Sequence, residues 1–460
     1  MAGLMQFKRI AILGAAAAIG LVSAAAAQQP ADSAAPTAVP DSPAGEAGVS
    51  ADIGTIGIDG AFDAAFRKEE PPLLNWPIAE AEALLRVIEG IGAEGLDPRD
   101  YQPDMLRMAI ALGSGAELDK TAARSFSMLV EDLRDGRTPM SERRQWFIVD
   151  PDADRLPTGR VMQTALATGD VAGTLASLNP GVGDYEALKQ ALAETDPADS
   201  KRVAAIRANM DRWRWLPRDL GTQYLLTNVP EYQLRLTVNE KIIRTYRTIV
   251  GKPGRTATPQ LAEQVSGVIF NPTWTVPQSI VKGEGLGERV LGNPAWAKAQ
   301  GYTATRGANG WITVVQRPGP TNSLGVVKLD MPNPHAIFLH DTPAKHLFDT
   351  ANRAYSHGCI RTERALELGM TIAILGEGAT KDQAVEISSS GKYTRVPVKK
   401  TMPVYITYFT MGRDIEGNLR EFPDIYSRDA PVLASFEKPR SGDRRRVTTE
   451  KVEAIAAPGA

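Results

Sequence analysis

The sequence predicts an α+β fold in which a helical domain precedes a mainly β domain. Between Trp76 and Asn179 the large apolar residues recur at the three- and four-residue spacing of amphipathic helices. From Tyr224 onward apolar and polar residues alternate, which is typical of half-buried strands. The length of 460 residues agrees with two domains and terminal extensions.

Three helices are predicted in the first region. The first carries the apolar positions from Leu84 to Ile91, and the break at 95–98 ends it. Pro103 opens the second helix, and the third has an apolar stripe from Leu118 to Leu133 that stops at Gly136. Stripes with this spacing indicate a packed core, so no ligand site is predicted here.

Short strands dominate the second region. A polar break at 196–199 precedes this region. Asn239 and Glu240 are predicted to form the turn between its first two strands. One helix, at 363–375, is also predicted within the region. The predicted strands lie at residues 234–238, 242–250, 265–270, 311–316, 325–329, 336–339 and 403–410.

The N-terminus carries the pattern of a secretory signal peptide. Lys8 and Arg9 precede the apolar stretch 10–24, and the alanines at 25–27 offer a cleavage site. Because the apolar stretch is short for a membrane span, we expect a periplasmic protein, with an uncleaved membrane anchor as the alternative. Residues 28–70 are rich in small and polar residues and are predicted to form a disordered linker.

The composition argues against nucleic acid as a partner, and the histidines and the cysteine all lie in one segment. The 52 basic and 54 acidic residues nearly cancel, so no strong positive field is available to bind nucleic acid. All four histidines fall between His335 and His357. The single cysteine, Cys359, follows directly in the run Ser-His-Gly-Cys-Ile-Arg at 356–361.

An unpaired thiol in an oxidising compartment is open to cross-linking and oxidation, so its presence at Cys359 indicates a reactive role. The alternative is a buried cysteine that packs as a small apolar residue. A nucleophilic thiol needs a base, and His340 and His357 are the candidates. His340 ends the predicted strand 336–339 and would be held rigidly. Gly358 permits a tight turn whose amides could bind an oxyanion, which together predicts acyl transfer.

The four histidines could instead bind a metal. Their gaps of five, six and eleven positions do not match the spacing of zinc ligands on one helical face, and no acidic residue completes a known pattern. We therefore predict neither a metal nor a cofactor. His335 is interpreted as a strand-start residue, and His346 as a packing residue or one at the edge of a cleft.

The segment from His340 to Arg361 resembles the signature of the L,D-transpeptidases with a YkuD catalytic domain. That signature is a histidine, a short spacer, Ser/Thr-His-Gly-Cys, an apolar residue, and Asn or Arg. The resemblance covers about residues 75 to 435. Further similarity to the family, and to its larger YcbB-like branch in particular, lies at residues 212–217, 271–274, 276–277, 318–325, 340–343 and 424–426.

The resemblance implies a role for each residue of the motif. Cys359 would attack the carbonyl that precedes the terminal D-Ala of a tetrapeptide stem, and His340 would accept the thiol proton. The amides of His357, Gly358 and Cys359 would stabilise the oxyanion, while the carbonyl of Asp341 orients the imidazole. Further site residues are Ser356, expected to shape the site, and Arg361 and Trp274, expected to contact substrate. For Arg361 a structural ion pair is the alternative.

The implied reaction is formation of a 3-3 cross-link in peptidoglycan through a thioester. With water as acceptor the protein would be an L,D-carboxypeptidase. A second alternative is another cysteine peptidase of the cell wall. The alternative without enzymatic activity is a wall-binding scaffold protein. Expected partners are peptidoglycan tetrapeptide stems, carbapenem-type inhibitors and peptidoglycan synthases.

The YcbB-like branch inserts a small peptidoglycan-binding module between its domains, and residues 185–207 are too few to hold it. Residues 280–311 take the place of that branch's lid and are expected to be irregular and mobile.

The predicted boundaries are a signal peptide at 1–27, a disordered linker at 28–70, a helical scaffold domain at 71–200, a catalytic domain at 201–435 with a core at about 223–376, and a disordered tail at 436–460.

Overall fold

The computed structural model describes residues 74–149 and 152–451, so the predicted signal peptide and linker lie outside the described residues. Within them, no helix combines the length and apolar character needed to cross a bilayer. The first part of the chain is helical, as predicted. Its helices are α1 Ile78–Gly90, α2 Pro103–Leu112, α3 Ala116–Asp135, α4 Asp152–Arg155, α5 Thr158–Thr168, α6 Val171–Ala176, α7 Gly183–Glu194 and α8 Ser200–Arg214, with 3-10 turns at Ile91–Glu94, Pro98–Tyr101 and Met140–Glu142.

Helix α3 is central to the helical region. Its predicted apolar stripe is fully buried, from Leu118 through Phe126 to Leu133, and packs with apolar residues of α1, α2, α5 and α6. The helix ends at Gly136, which has a φ of 87° and lies so close to Trp215 that a Cβ would come within 2.5 Å of its ring. The three predicted helices are confirmed, and the spacing of apolar residues was sufficient to place them.

The predicted domain boundary between residues 200 and 201 falls at the start of α8. Apolar residues of this helix share one core with α7 and with the outer face of the following sheet. Asp211 of α8 is buried and accepts hydrogen bonds from the backbone N–H groups of Arg137 at 2.6 Å and Thr138 at 3.0 Å. Helix α8 therefore joins the two regions, and the β region begins after it.

The second region is a nine-stranded mixed sheet. Strand β3 (Lys241–Gly251) pairs with β2 (Gln233–Val238) as well as with β11 (Ile360–Thr362), which brings the two ends of the strand order together around one apolar core. The order is β10-β3-β11-β9-β8-β4-β12-β1-β2. The strands are β1 Gln223–Asn228, β2 Gln233–Val238, β3 Lys241–Gly251, β4 Leu261–Phe270, β8 Val327–Asp330, β9 Leu339–His340, β10 Ala354–Ser356, β11 Ile360–Thr362 and β12 Thr394–Thr407.

Local sequence explains the hairpin between β2 and β3. Asn239 and Glu240 both have positive φ, at 48° and 63°, which is the backbone of the tight turns that match strand twist. The predicted strand 336–339 is shorter than expected, because Ala336 has a φ of 52° and the side chain of Asn333 bonds the backbone of Ile337. Only its end, β9, is regular, and His340 still lies at that end.

Residues 274–316 form a small subdomain, which corrects the expectation of an irregular lid at 280–311. It has its own apolar core, which includes Ile280, Val290 and Val314. Its elements are β5 Trp274–Thr275, α9 Gln278–Gly283, α10 Leu286–Gly292, α11 Pro294–Gln300, β6 Tyr302–Arg306 and β7 Ile312–Gln316, with strand order β5-β7-β6. The sequence pattern missed these helices because each has only six or seven residues.

The remaining elements complete the chain. They are the 3-10 turn Lys345–Asp349, α12 Ala365–Leu375, α13 Lys381–Ser389, β13 Met411–Arg413, β14 Leu419–Glu421 and α14 Asp429–Phe436. Helix α12 packs against the core side of the sheet and corresponds to the helix predicted at 363–375.

The C-terminal segment corrects another expectation. We predicted a disordered tail at 436–460, but Arg440 and Arg444 dock on α3, and Glu450 accepts from the N–H of Gln145. The Nε of Arg440 donates to Asp132 Oδ2 at 2.9 Å, and Asp132 is fully buried. A buried carboxylate needs a cation, and the tail supplies one. Residues 452–460 lie outside the described residues.

Candidate active site

Strand register brings the predicted site residues to one face of the sheet. His340 of β9 lies opposite Lys328 of β8 on one side and opposite Arg361 of β11 on the other. Because side chains alternate along a strand, these three point away from the core. The residues between them point inward and are buried in the core: Val327, Leu329, Leu339 and Ile360.

Cys359 directly precedes β11 and lies beside the start of β9. Its Sγ is 3.5 Å from the carbonyl oxygen of Ala336. Burial raises the pKa of the Cys359 thiol, while the backbone N–H of Phe338 and the charge of Lys328 act in the opposite direction. The net effect is a thiol that is protonated at neutral pH and needs a base to become nucleophilic.

His340 has the properties of that base. It is buried, and its Nδ1 lies 2.5 Å from the carbonyl oxygen of Asp341. Since a carbonyl only accepts, Nδ1 carries the proton and Nε2 is left with a free lone pair. Burial lowers the pKa of His340 to about 4, and the charges of Lys328 and Lys345 act in the same direction. The imidazole is therefore neutral at physiological pH.

The motif turn, residues 356–359, is held by its own polar groups. Ser356 Oγ donates to the carbonyl of Cys359 at 2.5 Å and accepts from the N–H of Gly358 at 3.1 Å. Behind the turn, Thr258 Oγ1 donates to the carbonyl of Gly358 at 2.8 Å. Gly358 has a φ of 117°, a conformation that side chains rarely allow.

This arrangement changes the expected set of oxyanion donors. The N–H of Gly358 is taken by Ser356 Oγ, so this amide does not point at a substrate carbonyl. Within the described part of the chain, the N–H groups of His357 and Cys359 donate no hydrogen bond. Two of the three predicted donors are therefore available, and Gly358 contributes backbone shape instead.

His357 faces the small subdomain rather than the thiol. Its Nε2 lies 2.7 Å from Glu284 Oε1, and both side chains are partly exposed. This contact makes His357 a poorer candidate for the base than His340, because its ring nitrogen is already paired. It also brings the small subdomain to the edge of the site.

Asp341 links the site to the turn before β8. Its Oδ2 accepts from the N–H of Val326 at 3.0 Å, and its Oδ1 accepts from Lys345 Nζ. A Cβ at Gly325 would lie 2.2 Å from Asp341 Oδ2, so only glycine fits there. The carboxylate thus fixes the segment whose backbone carbonyl orients His340.

The other predicted residues are spread more widely. Arg361 is buried beside His340, and burial lowers its pKa to about 10. Trp274 lies in β5 and packs on the core of the small subdomain. His335 lies in a turn, not at a strand start, and its ring is 4.1 Å from that of Phe147. His346 is exposed in a 3-10 turn.

Possible metal ligands and a cavity also bear on the extent of the site. In residues 74–149 and 152–451, no three His, Cys, Asp or Glu side chains are grouped closely enough to bind a metal. A cavity of about 390 Å³ lies between α7, α8 and β1, lined by residues such as Trp213 and Arg235, and it includes neither Cys359 nor His340. The candidate site is therefore the open face of β8, β9 and β11.

Sequence reasoning missed three residues of the site. Lys328 occupies an alternate position in the predicted strand 325–329, but only the strand register shows that it lies opposite His340. Thr258 and Glu284 contact the motif turn from segments distant in sequence. No local pattern marks either of them.

Two family models match the chain. Residues 222–380 match the L,D-transpeptidase catalytic domain, YkuD, and residues 68–192 match the Scaffold domain. A Haemophilus influenzae protein named "Putative L,D-transpeptidase" is 29% identical over 223 residues. That match covers 45% of this chain and 45% of the relative, so the chain spans less than half of the relative's length.

Solved structures of L,D-transpeptidases are also similar. The Ldtfm-avibactam carbamoyl enzyme is 14% identical, with a TM-score of 0.21, over 42% of this chain and 51% of that chain. The L,D-transpeptidase from Mycobacterium smegmatis is 13% identical, with a TM-score of 0.20, over 40% of this chain and 58% of that chain. On the two domain matches, in the order in which the fold presents them, the chain carries a Scaffold domain followed by an L,D-transpeptidase catalytic domain, YkuD.

Proposed function

We propose that this chain is a periplasmic peptidoglycan L,D-transpeptidase with Cys359 as nucleophile and His340 as base. The observation that carries the proposal is the placement of a partly buried thiol beside the start of β9 and of a neutral imidazole at the end of the same strand. The tautomer fixed by the Asp341 carbonyl leaves the Nε2 of His340 able to accept a proton. Placement in the periplasm rests on the N-terminal pattern at 1–27.

The first half-reaction would form a thioester. The thiol proton of Cys359 moves to His340 Nε2 as Sγ bonds to the carbonyl carbon that precedes the terminal D-Ala of a tetrapeptide stem. The C–N bond then breaks, and the imidazolium returns the proton to the departing amine. D-Ala leaves, and the rest of the stem stays on Sγ.

The second half-reaction would release the stem. An amine of a neighbouring stem attacks the thioester carbonyl, transfers a proton to His340 and displaces the Cys359 thiolate, which is then reprotonated. The new amide is a 3-3 cross-link. Water in place of the amine would give a carboxypeptidase product.

Both half-reactions pass through an oxyanion. The N–H groups of His357 and Cys359 are the donors that the motif turn leaves open. Each such donor contributes about 3 kcal/mol to transition-state stabilisation in comparable sites. Ser356 supports them indirectly, because its hydroxyl bonds both ends of the Gly358–Cys359 segment.

Intact-mass spectrometry tests the proposal. The purified chain, treated with a carbapenem, should gain the mass of one inhibitor at Cys359, and Cys359→Ala should gain none. With tetrapeptide muropeptides the same preparation should release D-Ala and produce a 3-3 linked dimer. An unmodified wild-type protein that also releases no D-Ala would leave a non-catalytic wall-binding role as the better explanation.

A further inference from the structure

Lys328 is a cation of the candidate site that has no counter-ion among the residues that the structure describes. Lys328 lies half-buried on β8, directly opposite His340. Its Nζ is 3.5 Å from the centre of the Phe338 ring. Within the described part of the chain, this nitrogen makes no hydrogen bond and no ion pair. Burial lowers the pKa of Lys328, with Cys359 and Asp330 acting in the opposite direction.

The carboxylates nearest to Lys328 are already paired with other cations. Asp330 Oδ2 accepts from Arg395 Nε at 2.6 Å. Asp341 accepts from Lys345 Nζ and from the N–H of Val326. An ammonium that is partly withdrawn from water without a partner is costly, so an incoming anion would be bound there in preference to a neutral group.

The position of Lys328 limits which anion it can meet. It shares the outward face of the sheet with His340, and its charge acts on the Cys359 thiol. An anion beside Lys328 therefore lies next to the carbonyl that Cys359 attacks. In a tetrapeptide stem the carboxylate of the leaving residue is separated from that carbonyl carbon by only the amide nitrogen and one Cα.

We propose that Lys328 binds the terminal carboxylate of the donor stem and so selects stems that end in a free carboxylate. This inference rests on the proposed function and names the group that the site recognises in its donor. Lys328 would be a specificity residue: it holds the leaving residue in line with Sγ and takes no part in proton transfer. Its loss should therefore slow donors with that carboxylate more than donors without it.

Two other roles for Lys328 predict different outcomes. If its charge served only to stabilise the Cys359 thiolate, removing it would slow every donor equally. If it bound the side-chain carboxylate of the diamino acid in the stem, blocking that second carboxylate would matter and blocking the terminal one would not. A comparison of donors separates these cases.

The experiment measures kcat/KM for release of the terminal residue from three synthetic donors. The first is the free tetrapeptide stem, the second carries an amide at its C-terminus, and the third carries an amide on the diamino acid side chain. Wild type, Lys328→Met and Lys328→Arg are compared, with Lys241→Met as a control that removes one positive charge from an exposed position on β3.

Wild type should prefer the free donor over the C-terminal amide by about 10- to 100-fold, the range expected for one hydrogen bond to a charged group. Lys328→Met should abolish that preference by slowing the free donor much more than the amide donor, and Lys328→Arg should restore part of it. Lys241→Met should keep the full preference. An equal loss on all donors, no loss, or a preference that follows the side-chain amide would each overturn the assignment.

Failure of this inference can be told apart from failure of the proposed function. Carbapenem acylation of Cys359 is measured on the same preparations by intact mass. Adduct formation in wild type without donor discrimination would reject only the role of Lys328. A wild-type protein that forms no adduct and releases no D-Ala would reject the enzyme itself.

Discussion

The two sides of the candidate site are built differently. On the strand side, His340 is fixed by a backbone carbonyl, and the motif turn is bonded by Ser356 and by Thr258 behind it. On the other side, the small subdomain has a separate apolar core and reaches the motif turn through Glu284, which is partly exposed. The proposed chemistry thus lies on the part with buried hydrogen bonds, and the small subdomain meets that part through a partly exposed contact.

This contrast predicts unequal effects of mutation. Changes on the strand side should alter the chemical step, because small displacements of reacting groups cost large factors in rate. Changes in the small subdomain should alter access to the site and depend on salt, because exposed ion pairs are weak and screened. Three measurements test this difference between the two sides, and the residue with the strongest predicted effect comes first.

The largest effect is expected at His340. His340→Ala should slow carbapenem acylation by about 100- to 10,000-fold, the range for loss of a general base. In wild type the imidazole is the base only when neutral, and burial lowers its pKa to about 4. The acylation rate should therefore stay level from neutral pH down to about pH 5 and fall as the pH drops through about 4.

Stopped-flow acylation across this pH range provides the measurement, with circular dichroism at each pH to show that the fold persists. A fall centred near the ordinary histidine pKa of about 6.5 would contradict the burial argument. An unchanged rate in His340→Ala would move the role of base to His357 and break the comparison, since His357 is the residue that the small subdomain contacts.

The second effect concerns Gly358 and its φ of 117°. Gly358→Ala should cost about 1–3 kcal/mol of backbone strain or force the motif turn to rearrange. Either outcome displaces the amides of His357 and Cys359, so acylation should fall by about 100-fold. The measurement is the acylation rate together with the melting temperature.

A glycine of the small subdomain serves as the matched control. Gly292 ends α10, and a Cβ there would have no atom within 4 Å. Gly292→Ala should leave acylation unchanged. If both variants were equally slow, the site would depend on the small subdomain as much as on the motif turn, and the proposed division would be lost.

On the strand side of the site, the features that depend on residues close together in the sequence could be predicted. The run at 356–361 identified Cys359 and Gly358, and His340 was placed at a strand end because a short apolar strand precedes it. Lys328 was not found, since its place beside His340 depends on the pairing of β8 with β9. The sequence also did not predict that the N–H of Gly358 is unavailable to a substrate, because it donates to the hydroxyl of Ser356 in the same turn.

The helices of the small subdomain could not be predicted from the sequence, for a physical reason. Its helices are short and are stabilised by packing on one another and on the small sheet, so no helix shows a sustained apolar period. The C-terminal segment was misjudged for a related reason. Arg440 and Arg444 look like a solvated run, and only the position of the buried Asp132 explains why they dock.

The smallest effect is expected at Glu284. Its carboxylate is paired with His357 at 2.7 Å, and both groups are partly exposed, so the contact should contribute up to about 1 kcal/mol. Glu284→Ala should therefore change the acylation rate by less than about 5-fold and raise KM more than it lowers kcat. At a pH where His357 is protonated the pair is ionic, and there the difference from wild type should shrink at high salt.

The control for Glu284 is another glutamate of the small subdomain. Glu288 pairs with Arg306 at 2.7 Å, an exposed pair within the subdomain itself, so Glu288→Ala should leave acylation and its salt dependence as in wild type. Acylation rates at low and high ionic strength compare the three proteins. A loss of 100-fold or more in Glu284→Ala would place this carboxylate in the chemical step, because no screened surface contact accounts for so large a factor. The small subdomain would then be part of the catalytic apparatus, and the separation between chemistry and access would fail at the residue where the two sides meet.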